Sequence, residues 1–84
     1  IMSMIPEGAR VLDVGCGTGS ITTLVRDVRR ASVVGVEPNA DRARHAADVH
    51  GLQVIHGVYT PAIAERFGPF DVVLFADVLE HLVD

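Results

Sequence analysis

Eighty-four residues hold one small domain at most, and a chain of this size buries only a modest share of its surface. The formal net charge of −4, with all seven basic residues arginine, argues against a nucleic-acid surface, which needs clustered cations. A lone cysteine, Cys16, excludes an internal disulfide framework and points to a reducing, cytoplasmic setting, while the apolar runs are too short to span a bilayer.

Ile1 to Ile5 is apolar but lacks the basic leader and long core of a signal peptide. The first buried-strand pattern is Arg10 to Val14, introduced by Pro6-Glu7-Gly8. A glycine-rich turn, Gly15 to Gly19, follows. Ile21, Leu24, Val25 and Val28 then recur at helical spacing, with Arg26, Asp27, Arg29 and Arg30 on the opposite face. Ser32 to Val36 is a second strand of small and β-branched residues. Pro38-Asn39 breaks the chain, and Asn39 is a good N-cap for a helix over Ala40 to His50. That helix buries an alanine face (Ala40, Ala43 and Ala47), turns Arg42 and Arg44 outward, and stops at Gly51.

Gln53 to His56 reads as a third strand. Thr60 as cap and Pro61 at the first helical position open a short helix to about Phe67, ended by Gly68-Pro69. Phe70 to Phe75 is a fourth strand, apolar enough to be central in a sheet, with Asp71 in a structural role at its start. Asp77 opens another helix. Strands alternating with helices predict an α/β fold, a doubly wound parallel sheet in one domain. The expectation from the chain ends is a partial domain over residues 1–84, cut after the fourth strand. The open edge of that strand is then expected to self-associate, and the isolated chain to be poorly stable.

The chemistry centres on Val11-Leu12-Asp13-Val14-Gly15-Cys16-Gly17-Thr18-Gly19, at the carboxyl end of the first strand, where open α/β sheets bind ligands. Glycines at alternate positions let the backbone turn tightly and approach a ligand with no Cβ in the way. The following helix presents its free N–H groups and positive dipole end to the same place. A dinucleotide fingerprint needs a third glycine three residues after Gly17, and that position is Ser20. Asp13, two residues before the first glycine, would repel a pyrophosphate; it is suited to a cationic group or to holding the turn.

With Asp13 included, the stretch resembles motif I of the class I S-adenosylmethionine-dependent methyltransferases. The resemblance covers nearly the whole chain and implies a Rossmann-like fold. It implies a cofactor-binding set of Asp13, Gly15, Cys16, Gly17, Thr18 and Gly19 around S-adenosylmethionine. Glu37, about 20 residues beyond the glycine turn, matches the acid that accepts the ribose hydroxyls, with Pro38 beside it. After the third strand such enzymes often carry an acid for the adenine amino group; His56-Gly57-Val58-Tyr59-Thr60 has none. Backbone groups of Gly57 and Val58 are left to flank the ring, with Tyr59 placed to stack on it.

Phe70 to His81 resembles motif IV and the helix after it, which places Ala76 and Asp77 near the sulfonium. Asp77, Glu80 and His81 are open to two readings. One is a capping box, Asp77 as N-cap with Glu80 three residues on. The other is a divalent-metal or acid–base site, since some family members carry an acid-x-x-Glu-His run there; His81 is then a general-base candidate. Cys16, near a helix N-terminus that would lower its pKa, lacks an adjacent base for nucleophilic chemistry. The implied function is methyl transfer to an acceptor the sequence does not identify, a small molecule by default, with neither nucleic acid nor membrane as partner. The competing reading is a non-catalytic nucleotide-binding or degenerate methyltransferase module used for partner binding.

Overall fold

The computed structural model describes residues 2–75. Ala76, Asp77, Glu80 and His81 lie outside the described residues, so both readings of that segment stay as expectations. A single 3-10 turn, Met2–Met4, precedes β1 (Arg10–Val14), α1 (Ser20–Arg29), β2 (Ser32–Glu37), α2 (Ala40–His50), β3 (Gln53–His56), α3 (Pro61–Phe67) and β4 (Val72–Phe75). The strands pair in parallel in the order β3-β2-β1-β4, as strands joined by helical crossovers must. The chain winds outward from β1 through β2 to β3, then returns to place β4 on the other side of β1. That reversal is the switch point at which open α/β sheets form their ligand crevice.

Alternation along β1 sends Val11 to one face and Leu12 to the other. Val11 packs with Val25 of α1, Ala31 and Leu74, and the same face continues under α2 through Cys16, Ala46 and Leu52. Leu12 packs with Val34 and Val36 against Ile63 and Ala64 of α3 and against Phe70. Helices therefore cover both faces, and the architecture is the predicted Rossmann-like α/β sheet.

Several local expectations shift. In α1 the buried positions are Thr22 and Val25, whereas Leu24 and Val28 are 52% and 56% exposed. The helix is rolled so that Thr22 reaches Asp13. In α2 the buried pair is Ala43 and Ala46, with Ala40 exposed, because Ala46 is the residue that meets Cys16 and Leu52. Asn39 caps α2 through a hydrogen bond from the Arg42 N–H to its Oδ1 at 3.0 Å, and Gly51 ends it at φ 65°, both as expected. Thr60 occupies the cap position of α3 without a side-chain cap bond; its carbonyl accepts the Ile63 N–H at 3.0 Å.

β2 runs one residue further than expected, since the Glu37 carbonyl accepts the Gly57 N–H and Glu37 stays in register with His56. β4 starts at Val72, not Phe70. Asp71 supplies the expected structural role by exchanging two bonds with Arg10: its carboxylate accepts the Arg10 N–H, and its own N–H donates to the Arg10 carbonyl, both at 2.8 Å. Among the described strands β4 lies at an edge, the open edge expected above. It pairs with β1 alone, which leaves Val73 and Phe75 exposed on the α3 face. No helix among the described residues is long and apolar enough to cross a membrane.

Candidate functional site

The glycine turn leaves β1 at Val14 and enters α1 at Ser20. Gly15, Gly17 and Gly19 hold φ values of 73°, 58° and 93°, in the left-handed region that glycine occupies without penalty. The Gly15 and Cys16 N–H groups donate to the Val36 carbonyl at 2.7 and 3.2 Å, tying the turn to the end of β2. Gly19 also answers a packing need: a Cβ there would stand 2.7 Å from the Leu52 side chain and 3.3 Å from Ala46. The close helix packing that a dinucleotide site assigns to its third glycine is met here by Gly19.

Asp13 is fully buried behind the turn, where its carboxylate Oδ2 accepts the hydroxyl of Thr22, itself fully buried in α1. A carboxylate in this position fixes the first turn of α1 to β1. Cys16 is buried as well and fills the space over Gly35, where a Cβ would come within 2.7 Å of its sulfur. Burial first, then the Asp13 and Glu37 carboxylates, push the Cys16 thiol up to about 12. This reverses the expectation of a lowered pKa: the helix terminus is outweighed, and a reactive thiolate is scarce near neutral pH.

Glu37, at the end of β2, is only 4% exposed. Its Oε1 accepts the Gly17 N–H and its Oε2 the Asn39 N–H, both at 2.8 Å. One carboxylate thus braces the glycine turn and the entry to α2 together. His56 closes the same corner, with its Nε2 3.0 Å from the Pro38 carbonyl.

A groove of about 380 Å³ opens at the carboxyl ends of the four strands, within the roughly 300–1,000 Å³ typical of small-molecule sites. Val14, Gly15, Val36, Glu37, Pro38 and Arg42 line it from the ends of β1 and β2 and the start of α2. Gly57, Val58 and Tyr59, after β3, and Phe75, at the end of β4, complete the lining. Tyr59 and Phe75 meet edge to face, ring centroids 6.4 Å apart. Of the residues expected to bind cofactor, Gly15, Glu37, Pro38, Gly57 and Val58 therefore converge on one groove. Cys16, Gly17, Thr18 and Gly19 shape the adjoining turn without lining it, and Thr18 is exposed.

Sequence reasoning missed Thr22, Gly35 and Arg42. Thr22 carried a signal, a polar residue three positions before Val25 on the buried face of a helix. Gly35 carried one too, a lone glycine inside a strand, which marks a close approach. Arg42 carried none, because at its helix position a cation reads as solvated.

Comparison with known proteins agrees with this architecture. The fold is that of the Rossmann-like α/β proteins, and residues 2–84 match the family model described as a methyltransferase domain. The chain belongs to that methyltransferase-domain family. It is 40% identical over 83 residues to a ubiquinone biosynthesis O-methyltransferase of Maricaulis maris, covering 93% of this chain and 32% of that protein. A protein of the same description from Caulobacter vibrioides is 35% identical over 83 residues, with the same coverage of 93% and 32%. The chain thus spans about a third of the length of the curated relatives it matches. Among solved structures, a TehB-like SAM-dependent methyltransferase from Corynebacterium glutamicum superposes with a TM-score of 0.71 at 25% identity, covering 98% of this chain and 45% of that one.

Proposed function

We propose that residues 1–84 are the cofactor-binding part of a single S-adenosylmethionine-dependent methyltransferase domain acting in the cytoplasm, and that the methyl acceptor is a small molecule. The observation that carries this reading is the meeting of a buried strand-end carboxylate, Glu37, with a bare glycine turn at one groove. The name shared by the relatives from Maricaulis and Caulobacter favours an oxygen as the accepting atom.

The residues fit the cofactor on chemical grounds. Each oxygen of an ionised carboxylate has two acceptor positions, and the backbone takes one on each Glu37 oxygen. A second position on each remains for the paired hydroxyls of a ribose. Gly15 would bring bare backbone to the ligand, and a Cβ at Gly17 would meet nothing within 4 Å. Pro38 and Val58 both line the groove and would supply apolar surface for a flat base, with Gly57 backbone beside Val58. S-adenosylmethionine, when bound, supplies an electrophilic sulfonium methyl group for displacement by the acceptor. The chain's own part is to hold the nucleoside, orient it through Glu37 and the turn, and exclude water along the apolar lining at Val14 and Val36. Asp13 acts at one remove, anchoring α1 through Thr22.

Calorimetric titration of the full-length protein with S-adenosylhomocysteine and with NAD tests this reading. Binding of S-adenosylhomocysteine and no heat with NAD is the expected result. Binding of NAD alone would overturn it, and silence with both ligands would favour a non-catalytic module.

A further inference from the structure

Six of the seven arginines have a partner for the guanidinium among the described residues. Arg10 donates to the Phe67 carbonyl at 2.7 Å, Arg26 to that of His50 at 2.6 Å and Arg29 to that of Met2 at 3.0 Å. Arg30 and Arg44 face Glu7 and Asp41 at 3.6 and 3.9 Å, and Arg66 stands 5.5 Å over the Phe67 ring. The guanidinium of Arg42 has no such partner among the described residues; only its backbone N–H is engaged, at the Asn39 cap. Arg42 is also the arginine that lines the groove, next to Glu37 and Pro38.

The rest of the lining sharpens the point. Among the described lining residues, only Glu37 and Tyr59 besides Arg42 bring a hydrogen-bonding side chain to the groove. Glu37 is directed to the Gly17 and Asn39 amides, and the wall from Gly57 to Tyr59 carries no carboxylate. A base held in the groove meets a spare cation that can only donate and, among the described lining residues, no second acid to accept from an amino group.

We propose that Arg42 is a specificity-determining residue for the base of the bound nucleoside: its guanidinium donates to purine acceptors and makes the site tolerant of a keto group at purine C6. The proposal rests on the cofactor reading given above. Adenine offers one acceptor, N7, beside its amino donor on the exposed edge. Hypoxanthine offers two adjacent acceptors, N7 and O6, the arrangement that an arginine fork bridges in guanine. A site reading the amino group through a carboxylate would reject hypoxanthine, whereas one that meets the base edge with an arginine donor and neutral groups accepts both.

The test is calorimetric titration of the full-length protein with S-adenosylhomocysteine and with its hypoxanthine analogue, S-inosylhomocysteine. The wild-type protein is expected to bind the two within about fivefold of each other. Arg42→Met is expected to weaken the inosyl ligand by about tenfold and the adenosyl ligand by about threefold, with an unchanged melting temperature. Arg42→Lys, which keeps the charge and loses the fork, should fall between wild type and Arg42→Met with the inosyl ligand. A wild-type preference for adenine greater than about fivefold, or equal affinities in wild type and Arg42→Met, would overturn the role of Arg42 while leaving the cofactor reading intact. An equal loss on both ligands in Arg42→Met would do the same. Failure of the wild-type protein to bind either ligand would overturn the cofactor reading itself.

Discussion

On one side of the groove, the glycine turn and the end of β2 are held by groups with little freedom left. Asp13 is fixed by Thr22, Cys16 is wedged over Gly35, and Glu37 grips the Gly17 and Asn39 amides. On the other side, Val58 and Phe75 are exposed, and Tyr59 is half-buried against the Phe75 ring. The first wall is organised before any ligand arrives; the second offers apolar surface and backbone. Preorganisation reduces the ordering cost of binding. Substitutions in the turn and at the end of β2 should therefore affect fold and affinity together, and those at Val58, Tyr59 and Phe75 mainly affinity.

The sharpest test of that contrast compares glycines within the turn. Gly19→Ala meets Leu52 and Ala46 as well as an unfavourable φ; it should destabilise by about 2–4 kcal/mol from overpacking and backbone strain combined. Gly17→Ala faces open space and bears only the backbone penalty, about 1–2 kcal/mol. Chemical denaturation of both variants checks the order. Thr22→Val should cost about 1–3 kcal/mol, since it leaves the buried Asp13 carboxylate without the Thr22 hydroxyl. A loss confined to ligand affinity would place Asp13 in the groove after all.

Glu37→Gln removes one acceptor oxygen, so either the Gly17 or the Asn39 amide loses its bond. Affinity for S-adenosylhomocysteine should fall about tenfold or more, beyond a stability loss of about 1–2 kcal/mol. Cys16 gives a pH signature. Its folded pKa of about 12 lies above the ordinary 9.0, so its contribution to stability is complete below pH 9 and is lost progressively between pH 9 and 12. In the native protein the thiol should resist iodoacetamide at pH 8 and react on unfolding. The smallest effect belongs to Val58→Ala on the opposite wall, within about 0.5 kcal/mol of wild type by thermal melting.

Elements with strong local signals were legible in the sequence: Asn39 and Gly51 bound α2, and the glycine spacing marks the turn. Glu37 was legible as a strand-end acid, yet its bonds to Gly17 and Asn39 were not, because they depend on how β1 and β2 pair. The roll of α1 was misread for a related reason. Leu24 and Val28 fit the apolar stripe, but the buried Thr22–Asp13 bond sets which face turns inward. Arg42 was invisible as a groove residue because helical position alone cannot distinguish solvent from a crevice rim.

The central claim is that the turn, the end of β2 and the segment after β3 form one nucleoside groove. Amide-resolved NMR of the full-length protein during titration with S-adenosylhomocysteine tests it most directly. The account predicts shifts at Gly15, Gly17, Asn39, Gly57 and Val58, with Gly8 and Gly51 unmoved. Binding that left Glu37's partners Gly17 and Asn39 unperturbed, and moved amides away from the groove, would contradict it.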